Sequence, residues 1–427
     1  MAEIRPFRGL RYSSKAGALE GLVAPPYDVL SDSEREEYAG RSPHNVVRVT
    51  LPEQLPDDRS KYIKYGRSSA RLAEWRRDGV LQTDERPCLY RYTQKFSVPA
   101  SADEYERTSV IALLKTEPYE AGTVLPHEQT FPKHKEDRLR LLEATRAHLE
   151  SIFGLCEDDG SFLDALKLAP ARKLAEVEGA DGVGNVVEAI EDEAEIRSLA
   201  RMLASKRIWI ADGHHRYETA RGFRESLGAK DGPAAEDYLM MAIGSMADPG
   251  LVILPTHRIL PKLPVGPARF EQLIQTRFAM RRVPNESLLS ELRRLQAEDA
   301  RVLGVALPGG TGLLLCLDDP DLAVRWTPGP ESERLKKLDV TILHHVIFEM
   351  LMGIEGTDSL RYTRDADEAL AAVRDEGAAA FLINPPTVED MRVIALGGEK
   401  MPQKSTYYFP KLLSGLVLWS LDDFDAR

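Results

Sequence analysis

Several common functional signatures are missing from this chain. Its three cysteines, Cys88, Cys156 and Cys316, stand alone without a CxxC pair, so neither a disulfide framework nor a cysteine-bound zinc site is expected. No apolar run is long enough to cross a bilayer. The sequence also has no HExxH, GxSxG or GxGxxG pattern, which argues against the zinc peptidases, the serine hydrolases and the dinucleotide-binding folds that carry them.

Length and charge narrow the remaining classes. At 427 residues the chain is too long for one ordinary hydrophobic core, which predicts two or three domains. The formal net charge of −12 disfavours a protein whose whole surface grips nucleic acid. The first residues, MAEIRPFRGL, contain neither an apolar secretion segment nor an Arg-rich transit pattern, so a cytoplasmic, globular protein without a membrane partner is expected.

Short strand-like and helix-like patterns alternate along the chain and predict an α/β (α+β mixed) fold. We expect a strand over 45–52, a helix over 137–153, a helix-rich region to 205, and a hairpin over 300–317. A strand, turn and helix unit is expected from 207 to 228. The predicted regions are an N-terminal α/β region (1–115), a nucleotide-binding core with a helical insertion (116–248) and a C-terminal α/β domain (249–427).

The stretch WIADGHHRYETA carries the densest set of polar donors. It predicts a buried strand that leads through an Asp-Gly turn into a helix beginning at His214. The first N–H groups of such a helix lack intrahelical partners and lie at the positive end of the helix dipole, so they attract anions. Charged side chains there add strong donors, and phosphate is the expected ligand. The predicted phosphate-binding residues are Gly213, His214, His215 and Arg216, next to Asp212.

Two other interpretations of this stretch remain. Asp212 and Gly213 can serve as an ordinary helix start with no ligand. The two histidines can also bind a metal, but neighbouring helix positions point about 100° apart, whereas helical zinc sites use positions i and i+4. The same geometry predicts that His344 and His345 are one core residue and one surface residue.

A second constellation is LPHEQTFPKHKEDR, where prolines flank His127 and Glu128 and a cationic cluster follows. A carboxylate held beside such cations can act as a general base toward a hydroxyl. The alternative is a solvated charged loop. The cluster consists of Lys133, His134, Lys135 and Arg138.

A third stretch, GGEKMPQKSTYYFPK, imitates a phosphate-binding P-loop. Gln403 occupies the position of the second glycine, and Pro410 prevents a long helix from following, so a P-loop NTPase is not expected. Lys404, Ser405 and Thr406 remain candidates for phosphate or substrate contacts. His257, which ends a predicted strand beside Arg258, is a further candidate for the site.

On these motifs the chain resembles a bacterial and archaeal family of unknown function that is commonly grouped with the ParB chromosome-partitioning proteins. The DGHHR motif resembles the nucleotide-binding motif of the ParB and sulfiredoxin fold. Where sulfiredoxin has its reactive cysteine this chain has His214, which argues against sulfinic acid reduction. The resemblance rests on IRPFRGLRY, VAPPYDVLS, PHNVVRV, LPHEQTFPKHKEDRL, IADGHHRYETA, PTHR and MPQKSTYYFPKLLSGL.

Within that fold the free-serine kinases look most similar, and this likeness implies a ParB/sulfiredoxin-like core and phosphoryl transfer from ATP or ADP, with CTP as an alternative, to a small hydroxyl-bearing metabolite such as serine. Glu128 would orient or deprotonate the acceptor, Asp212 would hold Mg²⁺ or the acceptor, and His214 would contact the phosphates. The implied substrate-binding residues are His127, Lys133, Lys135, Arg138 and His257.

Two different functions remain as alternatives. The same motif without its chemistry would give a ParB-like nucleotide-binding switch or an accessory protein for DNA partitioning. A non-catalytic scaffold is the third hypothesis. The acidic balance and the absence of a convincing helix-turn-helix make nucleic acid the less favoured partner.

Overall fold

The computed structural model describes residues 2–98, 103–128, 130, 132–228, 232–298, 301–317, 321–356 and 359–426, without the side chains of 132–134 and 297. The chain divides into two compact units. Unit 1 comprises Met1–Pro126, Thr130–Val252 and Pro410–Arg427, and unit 2 comprises His127–Gln129 and Ile253–Phe409. The region boundaries at 115 and 248 stay predictions.

Strands and helices alternate in both units, so the predicted mixed α/β class is confirmed. The strands are β1 (Ile4–Arg5), β2 (Leu10–Tyr12), β3 (Leu81–Thr83), β4 (Leu89–Ser97), β5 (Glu104–Lys115), β6 (Val124–Leu125), β7 (Ala147–His148), β8 (Ile152–Cys156), β9 (Arg172–Glu178), β10 (Gly184–Ile190), β11 (Ile208–Asp212), β12 (Tyr238–Ser245), β13 (Val252–Leu254), β14 (His257–Leu260), β15 (Ala279–Pro284), β16 (Val302–Leu307), β17 (Thr311–Cys316), β18 (Arg361–Thr363), β19 (Ala379–Leu382), β20 (Tyr407–Phe409) and β21 (Trp419–Ser420). The α-helices are α1 (Asp32–Arg41), α2 (Val47–Thr50), α3 (Ile63–Arg77), α4 (Pro132–Thr145), α5 (Ser161–Leu168), α6 (Glu193–Ala204), α7 (His214–Ser226), α8 (Pro267–Ile274), α9 (Asn285–Ala297), α10 (Asp321–Trp326), α11 (Glu333–Lys336), α12 (Asp339–Thr341), α13 (Ala366–Glu376) and α14 (Val388–Leu396).

Unit 1 is built around one mixed sheet. Among its described residues, nine strands run in the order β6-β11-β8-β12-β5-β4-β10-β9, with β1 also beside β5. The strand β11 is parallel to β6 and antiparallel to β8. Its apolar residues Ile208 and Ile210 are fully buried and share a core with Tyr217 of α7. This packing fixes where β11 ends and α7 begins, as hydrophobic burial is the main stabilising term.

The strand expected over 45–52 is wrong, because this segment contains the single helical turn α2. The Asn45 side chain accepts a hydrogen bond from Val47 N at 3.0 Å and donates to Gly21 O at 2.8 Å. Val46, Val47 and Val49 are all buried. Their apolar spacing suggested a strand, but a helical turn enclosed by core residues on several sides has the same pattern.

The helix expected over 137–153 is displaced. Helix α4 begins at Pro132 and ends at Thr145, and Arg146 then takes a left-handed conformation with φ of 47°, which ends a helix. The following region, predicted as helix-rich, also contains the strand β8 and the antiparallel pair β9 and β10. The β9–β10 turn holds Asp181, whose carboxylate accepts from Val183 N.

Unit 2 is built around a second sheet. Its described strands run β15-β17-β16-β19-β14-β18, and β16 and β17 form the hairpin that the sequence predicts. Helices α9 and α13 supply Leu288, Leu292 and Ala369 to its core. After α12, Ile342–Leu351 continues as a π-helix. There His344 is buried and His345 is exposed, which confirms the prediction of one core and one surface histidine.

The described helices include none whose length and apolar character together would suit a bilayer crossing. Cys88, Cys156 and Cys316 are all free thiols. Burial raises the pKa of both Cys88 and Cys156 to about 12. Neither of these two thiols is therefore activated as a nucleophile near neutral pH.

Candidate phosphate-binding site

The predicted strand, turn and helix unit around DGHHR is confirmed. Strand β11 ends at Asp212, Gly213 has φ of 90°, and α7 begins at His214. A Cβ atom at Gly213 would lie 3.0 Å from Nη2 of Arg216. Two features therefore favour glycine at this position: the left-handed backbone conformation and the close approach of the Arg216 guanidinium. As the N-cap of α7, it also has no side chain that could accept from the first N–H groups of the helix.

Arg216 is held between a carbonyl and a carboxylate inside unit 1. Its Nη1 donates to Ser151 O at 2.6 Å and its Nη2 to Asp212 Oδ2 at 3.0 Å. Its Nε is buried and has no hydrogen-bond partner among the described residues. Burial by itself would lower the pKa of Arg216, but Glu150 and Asp212 outweigh it and hold the pKa above the ordinary value. The guanidinium therefore keeps its charge in a desolvated position.

Asp212 lies between two cations. Besides Arg216, it accepts a hydrogen bond from Lys411, whose Nζ lies 2.5 Å from Asp212 Oδ1. Both pairs have little exposure, with 18% for the Asp212 side chain and 11% for each cation. Such low exposure strengthens the electrostatic interaction relative to a pair in water. Phosphate oxygens could take over the contacts that Asp212 makes here.

The segment that carries Lys411 is fixed by polar side chains of the central sheet. Gln94 Nε2 donates to Lys411 O at 3.0 Å, and the Tyr92 hydroxyl accepts from Leu413 N at 3.2 Å. Arg107, which is buried, donates to Pro410 O. These contacts place Lys411 beside Asp212 although the two residues are 199 positions apart in sequence.

A second buried layer lies around Glu150 and Arg138. Glu150 accepts from Tyr27 N and from Ser414 Oγ, both at 3.0 Å. The guanidinium of Arg138 lies 3.9 Å from the centre of the Tyr27 ring, and its Nη1 donates to Thr50 O at 2.8 Å. Arg138 is thus packed within unit 1. Its expected contact with substrate stays a prediction.

Lys135 is also engaged within unit 1. Its Nζ lies 2.9 Å from Glu218 Oε2, and the same oxygen accepts from Thr130 Oγ1 at 2.8 Å. Glu218 lies on α7, two residues after the DGHHR motif. The side chain of Lys133 lies outside the described residues, so its role stays a prediction.

His127 and Glu128 belong to unit 2, where they contact the loop before β20. Glu128 Oε1 accepts from Thr406 N at 3.0 Å and from Thr406 Oγ1 at 2.8 Å. The buried His127 has its Nε2 2.8 Å from the same hydroxyl. Met401 N donates to His127 O at 2.8 Å. This part of the structure joins two of the predicted motifs, LPHE and MPQKST, through Thr406 and Met401.

The rest of that loop is held by Arg258. This fully buried side chain donates to Lys404 O at 3.1 Å and to Gln403 O at 3.3 Å. Burial lowers the pKa of Arg258 to about 10. Lys404 is exposed, with a left-handed φ of 54°, and Ser405 Oγ donates to Pro402 O at 2.5 Å.

His257 is a buried residue of β14. Its Nδ1 accepts from Ile383 N at 3.3 Å. Burial lowers the pKa of His257 to about 4, with a further contribution from the charge of Arg258. The neutral ring thus satisfies a backbone donor, and its expected substrate contact stays a prediction.

The described residues contain no cluster of three or more His, Cys, Asp or Glu side chains arranged to hold a metal ion. The two oxygens of Asp212 accept from Arg216 and from Lys411. The expected contact of Asp212 with Mg²⁺ stays a prediction.

Three residues of unit 1 that the sequence analysis did not select contribute to the DGHHR site. They are Tyr27, Glu150 and Lys411. Tyr27 lies within VAPPYDVLS and Lys411 within MPQKSTYYFPKLLSGL. The motifs that carry the family resemblance therefore already include these two residues. Glu150 sits in an ordinary amphipathic pattern, and nothing local distinguishes it.

Residues 4–341 match the model of a family described as "Protein of unknown function (DUF1015)". This match covers most of the chain, and the chain belongs to that family. The comparison with curated proteins gave no match.

Among solved structures, a free serine kinase in complex with AMP is similar at 15% identity and a TM-score of 0.33, over 70% of this chain and 86% of that chain. A conserved hypothetical protein from Pyrococcus furiosus has 15% identity and a TM-score of 0.35, over 74% and 97%. SbnI with a C-terminal truncation, from Staphylococcus aureus, has 12% identity and a TM-score of 0.34, over 72% and 86%. These distant likenesses assign no role to any residue of this chain.

Proposed function

We propose that this member of the DUF1015 family is a nucleotide-dependent phosphotransferase that acts on a small hydroxyl-bearing metabolite, with free serine as the first acceptor to test. ATP and ADP are the first phosphate donors to test, and CTP is the third. The observation that carries the proposal is the buried Arg216, whose Nε has no partner among the described residues and whose guanidinium sits at the start of α7.

The charges around this guanidinium favour an anionic ligand. Arg216 and Lys411 both contact the single carboxylate of Asp212. A nucleotide phosphate at the start of α7 would accept from both cations and benefit from the helix dipole. In phosphoryl transfer, preorganised donors of this kind stabilise the charge that spreads over the phosphoryl oxygens, and they account for most of the catalysis.

Glu128 is the proposed acceptor base. Its Oε1 is oriented by the N–H and the hydroxyl of Thr406, both neutral donors. These two donors fix the direction of the carboxylate, and a general base must point toward the proton that it accepts. His127 orients the same hydroxyl and acts as a positioning residue in this proposal. The proposal takes no step through a metal ion.

The proposed function is tested with the full-length protein, ATP, ADP or CTP, and L-serine, with ³¹P NMR to detect a phosphorylated product. We expect Glu128→Gln to lower kcat by about 10²- to 10⁴-fold, the usual contribution of a general base, without changing the nucleotide Kd. Lys411→Met is expected to raise the nucleotide Kd. Glu120→Gln, an exposed residue of the preceding segment, is the matched control and should match the wild type.

Three results would overturn this function. Turnover that survives Glu128→Gln unchanged removes the proposed base. Tight nucleotide binding without product, together with a DNA affinity that falls steeply with salt, would instead support a ParB-like switch. Absence of both binding and turnover for the three nucleotides contradicts nucleotide dependence altogether.

A further inference from the structure

Unit 2 contains a cavity of about 270 Å³ whose lining carries both signs of charge. It lies where the chain leaves β19, at Asn384 and the two prolines that follow. Its volume is slightly below the range typical of sites for drug-sized ligands, so a smaller molecule fits it. The charged and polar lining residues are Arg301, Arg334, Lys337, Asp339, Asn384 and Asp390.

Asp339 supplies the carboxylate on one side of the cavity. Its Oδ2 accepts from Asn384 N at 2.9 Å and from Asn384 Nδ2 at 2.7 Å. Burial raises the pKa of Asp339 in spite of these two hydrogen bonds and of the nearby charge of Arg301. A carboxylate that is oriented but poorly solvated is stabilised by a cationic donor, and a perturbed carboxyl group in a cleft often marks a binding site.

The guanidinium groups of Arg334 and Arg301 provide the opposite charge. Arg334 Nε donates to Asp390 Oδ1 at 2.7 Å, and Asp390 is itself held by the Thr387 hydroxyl at 2.6 Å. This contact uses one of the five N–H donors of Arg334 and orients the planar fork that binds carboxylates in a bidentate way. Arg301 Nη1 donates to Lys337 O at 3.1 Å, so it too is anchored at one end.

The mixture of charges selects the class of ligand. Two carboxylates in the lining oppose a phosphate dianion, and three cations oppose a simple amine. Lys337 is already paired with Asp321 at 2.8 Å, which leaves the two arginines as the principal donors for an anion. A molecule with an ammonium at one end and a carboxylate at the other can form ion pairs with both the acidic and the basic residues of the lining.

We propose that this cavity is a binding site for a small zwitterion of the α-amino acid class. Its ammonium group contacts Asp339, and its carboxylate contacts the guanidinium groups of Arg334 and Arg301. None of these residues belongs to the DGHHR site or to the Glu128 cluster, so the inference stands independently of the proposed phosphotransferase.

The test uses isothermal titration calorimetry of the full-length protein against the standard L-amino acids. Ethylamine, acetate and inorganic phosphate are the probes for the separate charges. We expect at least one amino acid to bind, and we expect each of the three probes to bind more weakly than that amino acid. Arg334→Gln and Arg301→Gln, at a half-exposed and an exposed residue, should each weaken amino-acid binding at least tenfold, and Asp339→Asn should do the same.

Asp375→Asn is the matched control, because Asp375 is an exposed acid of unit 2 outside the cavity. It should bind like the wild type. If Asp339→Asn fails to fold, the two arginine variants decide the outcome. The proposal is overturned if no amino acid binds, if phosphate or ethylamine binds more tightly than every amino acid, or if binding survives both arginine substitutions.

Discussion

The DGHHR site in unit 1 and the Glu128 cluster in unit 2 hold their acidic residues in different ways. Asp212 is contacted by two cations, Arg216 and Lys411. Glu128 is oriented by the hydroxyl and N–H of Thr406. Ion pairs with a carboxylate can be exchanged for contacts with a phosphate, whereas the hydrogen bonds from Thr406 orient the carboxylate of Glu128. The proposed function gives the first cluster an anion-binding role and the second a proton-accepting role, and this contrast is what the following substitutions test.

Among the substitutions that test this comparison, removal of the buried Arg216 guanidinium should change stability and nucleotide binding the most. In Arg216→Ala, Asp212 and Glu150 lose the charge of Arg216, although Lys411 still contacts Asp212, and Ser151 O loses its donor. Removing one partner of a buried ion pair destabilises a protein strongly, so we expect a loss of about 3 kcal/mol in the free energy of unfolding. Nucleotide binding should be lost as well. Urea denaturation and calorimetry measure the two effects.

Arg221→Ala on the same helix is the matched control. Arg221 forms an ion pair with Glu225, whose side chain is 63% exposed, and such pairs contribute between about 0 and 1 kcal/mol. If Arg216→Ala is no more destabilising than Arg221→Ala, the buried charge network does not stabilise unit 1. If Arg216→Ala binds nucleotide like the wild type, the site is not the phosphate-binding site.

Gly213→Ala should have a smaller effect that is specific to the turn. An alanine at φ of 90° is strained, and its Cβ would lie about 3 Å from the Arg216 guanidinium. We expect a loss of about 2 kcal/mol in the free energy of unfolding. Gly222→Ala lies within α7 with no atom inside 4 Å of its added Cβ, and it should stabilise the helix by about 1 kcal/mol. Equal effects of both substitutions on unfolding would contradict the special role of Gly213.

The contrast between these two glycines also shows how far the sequence predicts the site. The strand, turn and helix of DGHHR are encoded by adjacent residues, so periodicity and turn chemistry were enough to predict them. The partners of Arg216 and Asp212 lie 65 and 199 positions away. Contacts at such separations are set by the order of strands in the sheet, which local patterns do not determine.

The errors in the predicted fold have the same origin. The apolar residues after Asn45 are spaced as in a strand, but this segment is buried on several sides and forms a helical turn. The region after Thr145 is rich in charge, which suggested helices, yet it pairs as β9 and β10 with their partners in the sheet. In both cases tertiary contacts determine the secondary structure.

The Glu128 cluster is tested by Thr406→Val, which should have the smallest effect on stability. The substitution removes the hydroxyl that contacts both Glu128 Oε1 and His127 Nε2, but keeps the shape of the side chain. We expect a loss of about 1 kcal/mol in the free energy of unfolding and a larger relative loss in kcat than in nucleotide affinity. Thr341→Val is the control, because the buried Thr341 hydroxyl has no partner among the described residues, so its removal should be neutral or stabilising. A Thr406→Val protein that loses nucleotide affinity but keeps kcat would reverse the roles assigned to the two clusters.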